Sequence, residues 1–310
     1  MNNLKIQEIK GIKHPDLIGK LLDVWNESVR LTHGFLTGLD IESLYPYVKE
    51  SLLSIQHLIV VLNCNQPIGF MGICRDKIEM LFLSPDYLNR GIGSLLIEIA
   101  ECRYGVKWVD VNEQNDNAVR FYIHKNFKVY GRDELDVQGN SLPILHMVKE
   151  NSITIEIVEN NKKDYMDFLM LGDEQEDMIT RYLERGKMFV MKMPEKGMPV
   201  CVAVVTDEGN NVCELKNIAV IPQYQRKGYG RKMINFICCY YMLDFATLMV
   251  GTGDTISNTS FYKSNGFVYS HIIKDFFTNN YDHIIEEDGI VLKDMIYFRK
   301  EIGNITKCAN

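Results

Sequence analysis

Alternation of apolar and polar side chains over Leu4-Lys5-Ile6-Gln7-Glu8-Ile9 predicts a half-buried strand, and helical spacing through Leu17, Leu21, Leu22, Val24 and Trp25 predicts a helix over 16–30. A second helix is expected over 40–54, with Asp40 placed to cap it. Apolar runs at 58–62 and 68–73 flank Asn63-Cys64-Asn65-Gln66-Pro67, the pattern of an antiparallel hairpin, and 78–83 follows as a third strand. After a break at Pro85 come an amphipathic helix over 93–102, a strand over 106–111, and a polar stretch opening a further helix that ends in Phe121-Tyr122.

The second half restarts the pattern. A strand is expected over 152–158, helices over 164–170 and 176–185, strands over 188–191 and 200–205, and a turn at Asp207-Glu208-Gly209-Asn210. A long strand from Val212 then leads to a second Pro-marked break and a helix over 231–243. Leu81-Phe82-Leu83-Ser84-Pro85-Asp86-Tyr87-Leu88-Asn89-Arg90-Gly91-Ile92-Gly93 and Ile218-Ala219-Val220-Ile221-Pro222-Gln223-Tyr224-Gln225-Arg226-Lys227-Gly228-Tyr229-Gly230 are versions of one another, 137 positions apart. Each reads as strand, proline break, basic Gly-x-Gly turn and helix start. Glycines let the amides of such a turn converge on an anion, and the helix N-terminus adds partial positive charge, so both turns are candidate phosphate cradles.

A chain of 310 residues exceeds the size at which one core usually keeps growing, and with the repeat this predicts two domains, 1–150 and 151–310. With 46% hydrophobic and 24% charged residues the composition is that of an ordinary globular protein. The net charge of −7 divides evenly between the halves, which argues against a nucleic-acid binder. No apolar run reaches membrane-spanning length and Met1-Asn2-Asn3-Leu4-Lys5 opens into a strand pattern, so no membrane association and a cytoplasmic location are expected. The eight cysteines include no Cys-x-x-Cys pair and sit mostly in apolar contexts, which predicts reduced thiols and no metal site.

Asp110 ends a strand about 20 residues after Gly91, the place of a ribose-binding acid, yet Leu96 and Met233 stand where a dinucleotide fold needs its third glycine. A P-loop lacks its Gly-Lys-Ser/Thr in both copies. The remaining motifs are Val24-Trp25-Asn26-Glu27-Ser28-Val29 with Thr32-His33-Gly34-Phe35-Leu36, Val111-Asn112-Glu113-Gln114-Asn115, Phe121-Tyr122, Leu142-Pro143-Ile144-Leu145-His146-Met147, and Asn258-Thr259-Ser260-Phe261-Tyr262. With the glycine turns, they resemble the GNAT superfamily of acetyl-CoA-dependent N-acetyltransferases over nearly all of 1–150 and again in 151–310.

The resemblance implies an α+β (mixed α/β) fold: two GNAT-type domains, each a mostly antiparallel mixed sheet, splayed at the cofactor site and flanked by helices. It implies acetyl-CoA held in the first copy by Leu81, Phe82, Leu83, Asn89, Arg90, Gly91, Ile92, Gly93, Ser94 and Asn115. The second copy supplies Ile218, Ala219, Val220, Gln225, Arg226, Lys227, Gly228, Tyr229, Gly230, Arg231 and Asn258. The family usually has Gln or Arg where Leu88 stands, so the second copy carries the fuller motif and is expected to be the stronger site. Tyr122 and Tyr262 match the tyrosine that protonates the departing sulfur, and Glu79 and Glu214 are candidate bases on the strand before each turn. His33 is a candidate acceptor-site residue. The expected activity is direct acetyl transfer to a primary amine on a small molecule or peptide, the alternative being an acyl-CoA-binding regulatory protein with one or both centres inactive.

Overall fold

The computed structural model describes residues 4–150, 153–193 and 197–303; the expected strand start at Ser152 and Cys308 lie outside them. Among the described residues the chain divides into two compact units, 4–150 and 153–303.

In the first unit the elements run β1 (Leu4–Ile9), α1 (Pro15–Thr32), α2 (Gly38–Ser54), β2 (His57–Asn63), β3 (Gln66–Cys74), β4 (Lys77–Leu83), α3 (Ile92–Tyr104), β5 (Trp108–Asn112), α4 (Asp116–His124), β6 (Phe127–Asp133) and β7 (Ile144–Lys149). The seven strands form one sheet in the order β1-β2-β3-β4-β5-β7-β6. The strands expected from alternation are all present. α2 begins earlier than Asp40: Thr37 is its N-cap, and Asp40 is the reciprocal member of a capping box, accepting from the Thr37 amide. The hairpin turns at Cys64 and Asn65, both at positive φ, which leaves the Cys64 side chain exposed.

Helices cover both faces of the central strands, so Ile59, Val60 and Val61 are fully buried and β2 reads as an apolar run rather than an alternation. Ile18, Leu21, Leu22 and Trp25 of α1 pack with Leu58, Val60 and Phe70 in one cluster. Every strand pair is antiparallel except β4 with β5, which pair in parallel only at Lys77–Trp108 and Ile78–Val109. Beyond Ile78 the two strands part.

The second unit repeats this plan: β8 (Thr154–Val158), α5 (Met166–Leu169), α6 (Glu176–Leu183), β9 (Lys187–Lys192), β10 (Pro199–Asp207), β11 (Val212–Val220), α7 (Tyr229–Tyr241), β12 (Thr247–Gly253), α8 (Ile256–Ser264), β13 (Val268–Ile273), α9 (Phe276–Asn280), β14 (Glu286–Glu287), β15 (Ile290–Val291) and β16 (Met295–Glu301). Its main sheet runs β8-β9-β10-β11-β12-β16-β13, and β11 pairs in parallel with β12 from Val212 to Leu215 before parting from it. The helix expected over 164–170 is shorter, a 3-10 turn at Lys162–Tyr165 leading into α5. Residues 274–294 form an insertion carrying α9 and the small β14-β15 ribbon, with Phe277, Ile285 and Leu292 as a core of its own.

Candidate functional site

The parting of β4 from β5 opens a cleft whose floor the sequence dictates. Leu81, Phe82 and Leu83 remain bonded to β3 on one side, while the other edge of the strand faces no partner strand. A cavity of about 680 Å³ lies here, lined by Leu81, Phe82 and Leu83, the turn residues Leu88, Asn89, Gly91, Gly93 and Ser94, and α4 residues including Phe121 and Tyr122. Ser28, Thr32 and His33 close it from the α1 side and Asn115 from the α4 start.

The turn is built alike in both units. Pro85–Tyr87 and Pro222–Tyr224 are 3-10 turns, Asn89 (φ 59°) and Arg226 (φ 60°) are left-handed, and Gly91 (φ 80°) and Gly228 (φ 84°) cap the following helices. The first helical bonds run from Leu95 N–H to the Gly91 carbonyl and from Lys232 N–H to that of Gly228. The amides of Ile92, Gly93 and Ser94, and of Tyr229, Gly230 and Arg231, therefore precede any helical acceptor and form the open end of each helix. Arg90 and Lys227 lie over the rings of Tyr87 and Tyr224 at 5.3 and 5.2 Å. A Cβ on Gly93 would stand 3.3 Å from Phe121 Cζ, and one on Gly230 3.1 Å from Phe261 Cζ, so at both positions a side chain would press on the aromatic wall that glycine lets the helix start approach. Convergent amides, a basic residue and an unpaired strand edge fit a diphosphate followed by an amide-bearing arm, the chemistry of coenzyme A.

Leu88 and Gln225 hold equivalent places. The Gln225 amide donates to the Val220 carbonyl at 3.1 Å, a bond leucine lacks, whereas the backbone donors are common to both turns.

Tyr122 and Tyr262 are buried at 6% and 7% exposure, each wedged between the preceding Phe and Phe127 or Phe267. Burial pushes both phenols above their ordinary pKa, so they stay protonated at neutral pH.

The strand carboxylates are placed differently from one another. β3 pairs Gly72 with Met80 and Ile73 with Ile78, leaving Glu79 as a bulge residue; β10 pairs Val204 with Asn217 and Val205 with Leu215, leaving Lys216. Glu79 thus corresponds to Lys216, and Lys77 to Glu214, a reversal of charge between the units. Each pair is a salt bridge, at 3.6 Å for Lys77–Glu79 and 2.7 Å for Lys216–Glu214. Glu214 also accepts from the Tyr297 hydroxyl and is buried; Glu79 is half-exposed and is not among the residues lining the cavity. Beside Lys77 lies a network that periodicity did not announce: Asp110 bonds Lys77 and His146, and His146 also bonds Asp133.

Around the second turn the insertion changes the surroundings. Asn115 caps α4 and Thr255 caps α8, each accepting from the amide three residues on, so Asn117 and Ala118 of the cavity wall correspond to Ser257 and Asn258. Asn258 donates to Glu287 at 2.6 Å and Ser257 bonds Asp288, so the acidic ribbon lies against this lip. The fuller motif and the described 680 Å³ cavity therefore belong to different units. A smaller cavity of about 230 Å³ sits within the insertion, lined by Phe277, Tyr281, His283 and Leu292 among others. Among the described residues no helix is long and apolar enough to cross a membrane.

A model of the acetyltransferase (GNAT) domain matches residues 54–129 and 184–269. A peptidyl-lysine N-acetyltransferase, YjaB, of Salmonella typhimurium is 36% identical over 129 residues, 42% of this chain and 89% of that protein. An uncharacterized N-acetyltransferase of Bacillus subtilis, YvbK, is 33% identical over 146 residues, 46% of this chain and 93% of the relative. Among solved structures, a GNAT family acetyltransferase from Elizabethkingia anophelis with acetyl-CoA bound is 28% identical, covering 49% of this chain and 99% of its own, at a TM-score of 0.45.

Proposed function

The chain belongs to the GNAT acetyltransferases, matching the domain model in two regions, and we propose that it carries the acetyl group of acetyl-CoA directly to a primary amine. The observation that carries this reading is the cleft beside Leu81, Phe82 and Leu83, which joins an amide-lined anion cradle to a buried, protonated Tyr122. Acetyl-CoA supplies an activated thioester; the protein supplies position, polarisation and proton traffic. The Gly91 turn and the Ile92, Gly93 and Ser94 amides hold the diphosphate. The free edge of β4 aligns the arm, and its amides polarise the thioester carbonyl. Tyr122 gives its proton to the departing sulfur.

Direct transfer is favoured over an acetyl-cysteine route because no cysteine is among the described residues that line the first domain's cleft, and the buried cysteines of the second domain are poor nucleophiles. Burial pushes the Cys201 and Cys213 thiols up to about 12, leaving almost no thiolate at neutral pH. The relatives named as peptidyl-lysine acetyltransferases support an amine acceptor, here a small-molecule or peptide amine. The two domains are taken as 1–150 and 151–310. In this reading the first carries the transfer, and the acidic ribbon at Glu287 and Asp288 lowers the coenzyme affinity of the second.

Calorimetry with acetyl-CoA, paired with thiol release on a panel of primary amines, tests the proposal. Binding with turnover on at least one amine is expected. Binding without turnover on any of them would identify a regulatory coenzyme-binding protein instead.

A further inference from the structure

The cleft of the first domain has two ends, and α4 runs between them. Asn115 caps the helix start and lies 3.4 Å from His33, marking the end nearest α1. Farther along the helix, the ring of Phe121 stands against Gly93, so this part of the wall borders the amides that cradle the diphosphate. Lys125, the C-cap of α4, sits four residues and about 6 Å of helical rise beyond Phe121 and also lines the cavity. The cleft therefore continues past the diphosphate cradle, away from His33, to a half-buried cation. Other basic side chains nearby are committed elsewhere. Arg90 lies over the Tyr87 ring and is not among the residues lining the cavity. His33 is bonded to Thr32 and Asn115 at the opposite end. His124 lines the same end as Lys125, but its Nδ1 donates to the Arg120 carbonyl at 2.7 Å, which ties the ring back onto its own helix. Glu101, the carboxylate whose charge reaches Lys125, is itself bonded to Lys149.

We infer that Lys125 binds the ribose 3′-phosphate of coenzyme A and makes the first domain selective for the coenzyme over its 3′-dephospho form. This rests on the acetyl-CoA reading above. In coenzyme A the diphosphate joins the arm on one side and a ribose bearing a second phosphate on the other. With the arm along β4 and the diphosphate at the Ile92, Gly93 and Ser94 amides, the ribose is left to the Phe121–Lys125 end of the cleft. There the Lys125 ammonium supplies a compact charge suited to a phosphate, and no carboxylate is among the described lining residues to compete for it. The second domain is built without this group. Ser264 and Asn265 stand where His124 and Lys125 do, and Asn265 is buried with its Nδ2 bonded to the Phe261 carbonyl. Lys263 takes the place of Ile123, which is exposed rather than part of the cavity wall.

Hydrogen exchange of the full chain, titrated with coenzyme A and separately with 3′-dephospho-coenzyme A, reads the first turn by itself. The Ile92, Gly93 and Ser94 amides precede any helical acceptor, so their protection reports binding at this turn. Half-protection is expected at a concentration of coenzyme A about tenfold lower than of the dephospho form. Lys125→Ala is expected to move the coenzyme A value up to that of the dephospho form and to leave the latter where it was. Lys125→Arg should keep the preference, and added salt should shrink it. If neither coenzyme protects the turn, the acetyl-CoA reading of the first domain fails and the inference with it. Equal half-protection by the two in the unmutated chain overturns the inference alone. So does a Lys125→Ala loss shared equally by both coenzymes, since a lysine that only complements the carbonyl end of α4 would weaken both alike.

Discussion

Replacing Tyr122 by Phe removes one oxygen and leaves the ring. The ring carries the packing, lying 5.2 Å from Phe121 and 5.5 Å from Phe127 in edge-to-face contacts, and it is 6% exposed. An aromatic pair of this kind contributes about 0.5–1.5 kcal/mol beyond its buried area, and Phe retains it, so the folded state should hardly notice the change. Catalysis should notice it. Without a positioned donor the sulfur leaves as a bare thiolate, and loss of a general acid costs about 100- to 10,000-fold in rate, or about 2.7–5.4 kcal/mol of transition-state stabilisation. Because burial already holds the phenol above its ordinary pKa, the wild-type group stays protonated through neutral pH. The rate should therefore not fall on an alkaline limb near pH 7–8 from this residue. Stopped assays of kcat and KM, with calorimetric acetyl-CoA affinity and a thermal melt, separate the possibilities. A lower kcat with unchanged affinity and midpoint is expected for Tyr122→Phe, and a smaller effect for Tyr262→Phe if the first domain carries most of the turnover. A Tyr122→Phe chain with kcat close to wild type would refute the donor role; a large drop in midpoint would refute the separation of packing from chemistry.

Three further outcomes follow from the same geometry. Gly93→Val drives a branched side chain into Phe121, 3.3 Å from where its Cβ must stand, and should weaken acetyl-CoA binding about tenfold or more by calorimetry. The Asp110 hydrogen bond, reinforced by Asp133, raises the His146 pKa; folding therefore favours protonated His146. That contribution is complete below the ordinary value near 6.5 and disappears as pH rises through the raised one, and Asp110→Asn should move the NMR titration of His146 back down. Glu287→Ala frees Asn258 and removes a carboxylate from the second lip, so acetyl-CoA affinity at Gln225–Gly230 should rise, read as protection of those amides from hydrogen exchange at lower coenzyme concentration.

Much of this architecture was legible along the chain because it is set by local rules. Alternation and helical spacing gave the strands and helices of both units, and the shared spacing from Pro85 to Gly91 and from Pro222 to Gly228 announced two turns that share left-handed positions at Asn89 and Arg226. What periodicity leaves out is register. Counting back from Pro85 and Pro222 already pairs Glu79 with Lys216 and Glu214 with Lys77; what it does not show is that Glu79 and Lys216 both fall at a bulge, where the register with the neighbouring strand shifts. Long-range bonds were equally hidden: Asn115 meets His33 across 82 positions and Asn258 meets Glu287 across 29, and neither partner carries a local signal of the other. Thr37 could have been found as the cap of α2, since Thr-x-x-Asp supplies both halves of a reciprocal cap. The insertion at 274–294 gave no periodic warning that its acids would reach α8.

The most direct test of acetyl transfer from this chain follows label and thiol together. The full chain is mixed with acetyl-CoA carrying radiolabel in its acetyl group and with the amine panel, then quenched over a single turnover. The account predicts labelled amide and free coenzyme A thiol appearing at the same rate and in equal amounts, with no label on the protein. Thiol release without labelled amide, or label first accumulating on the chain, would contradict it.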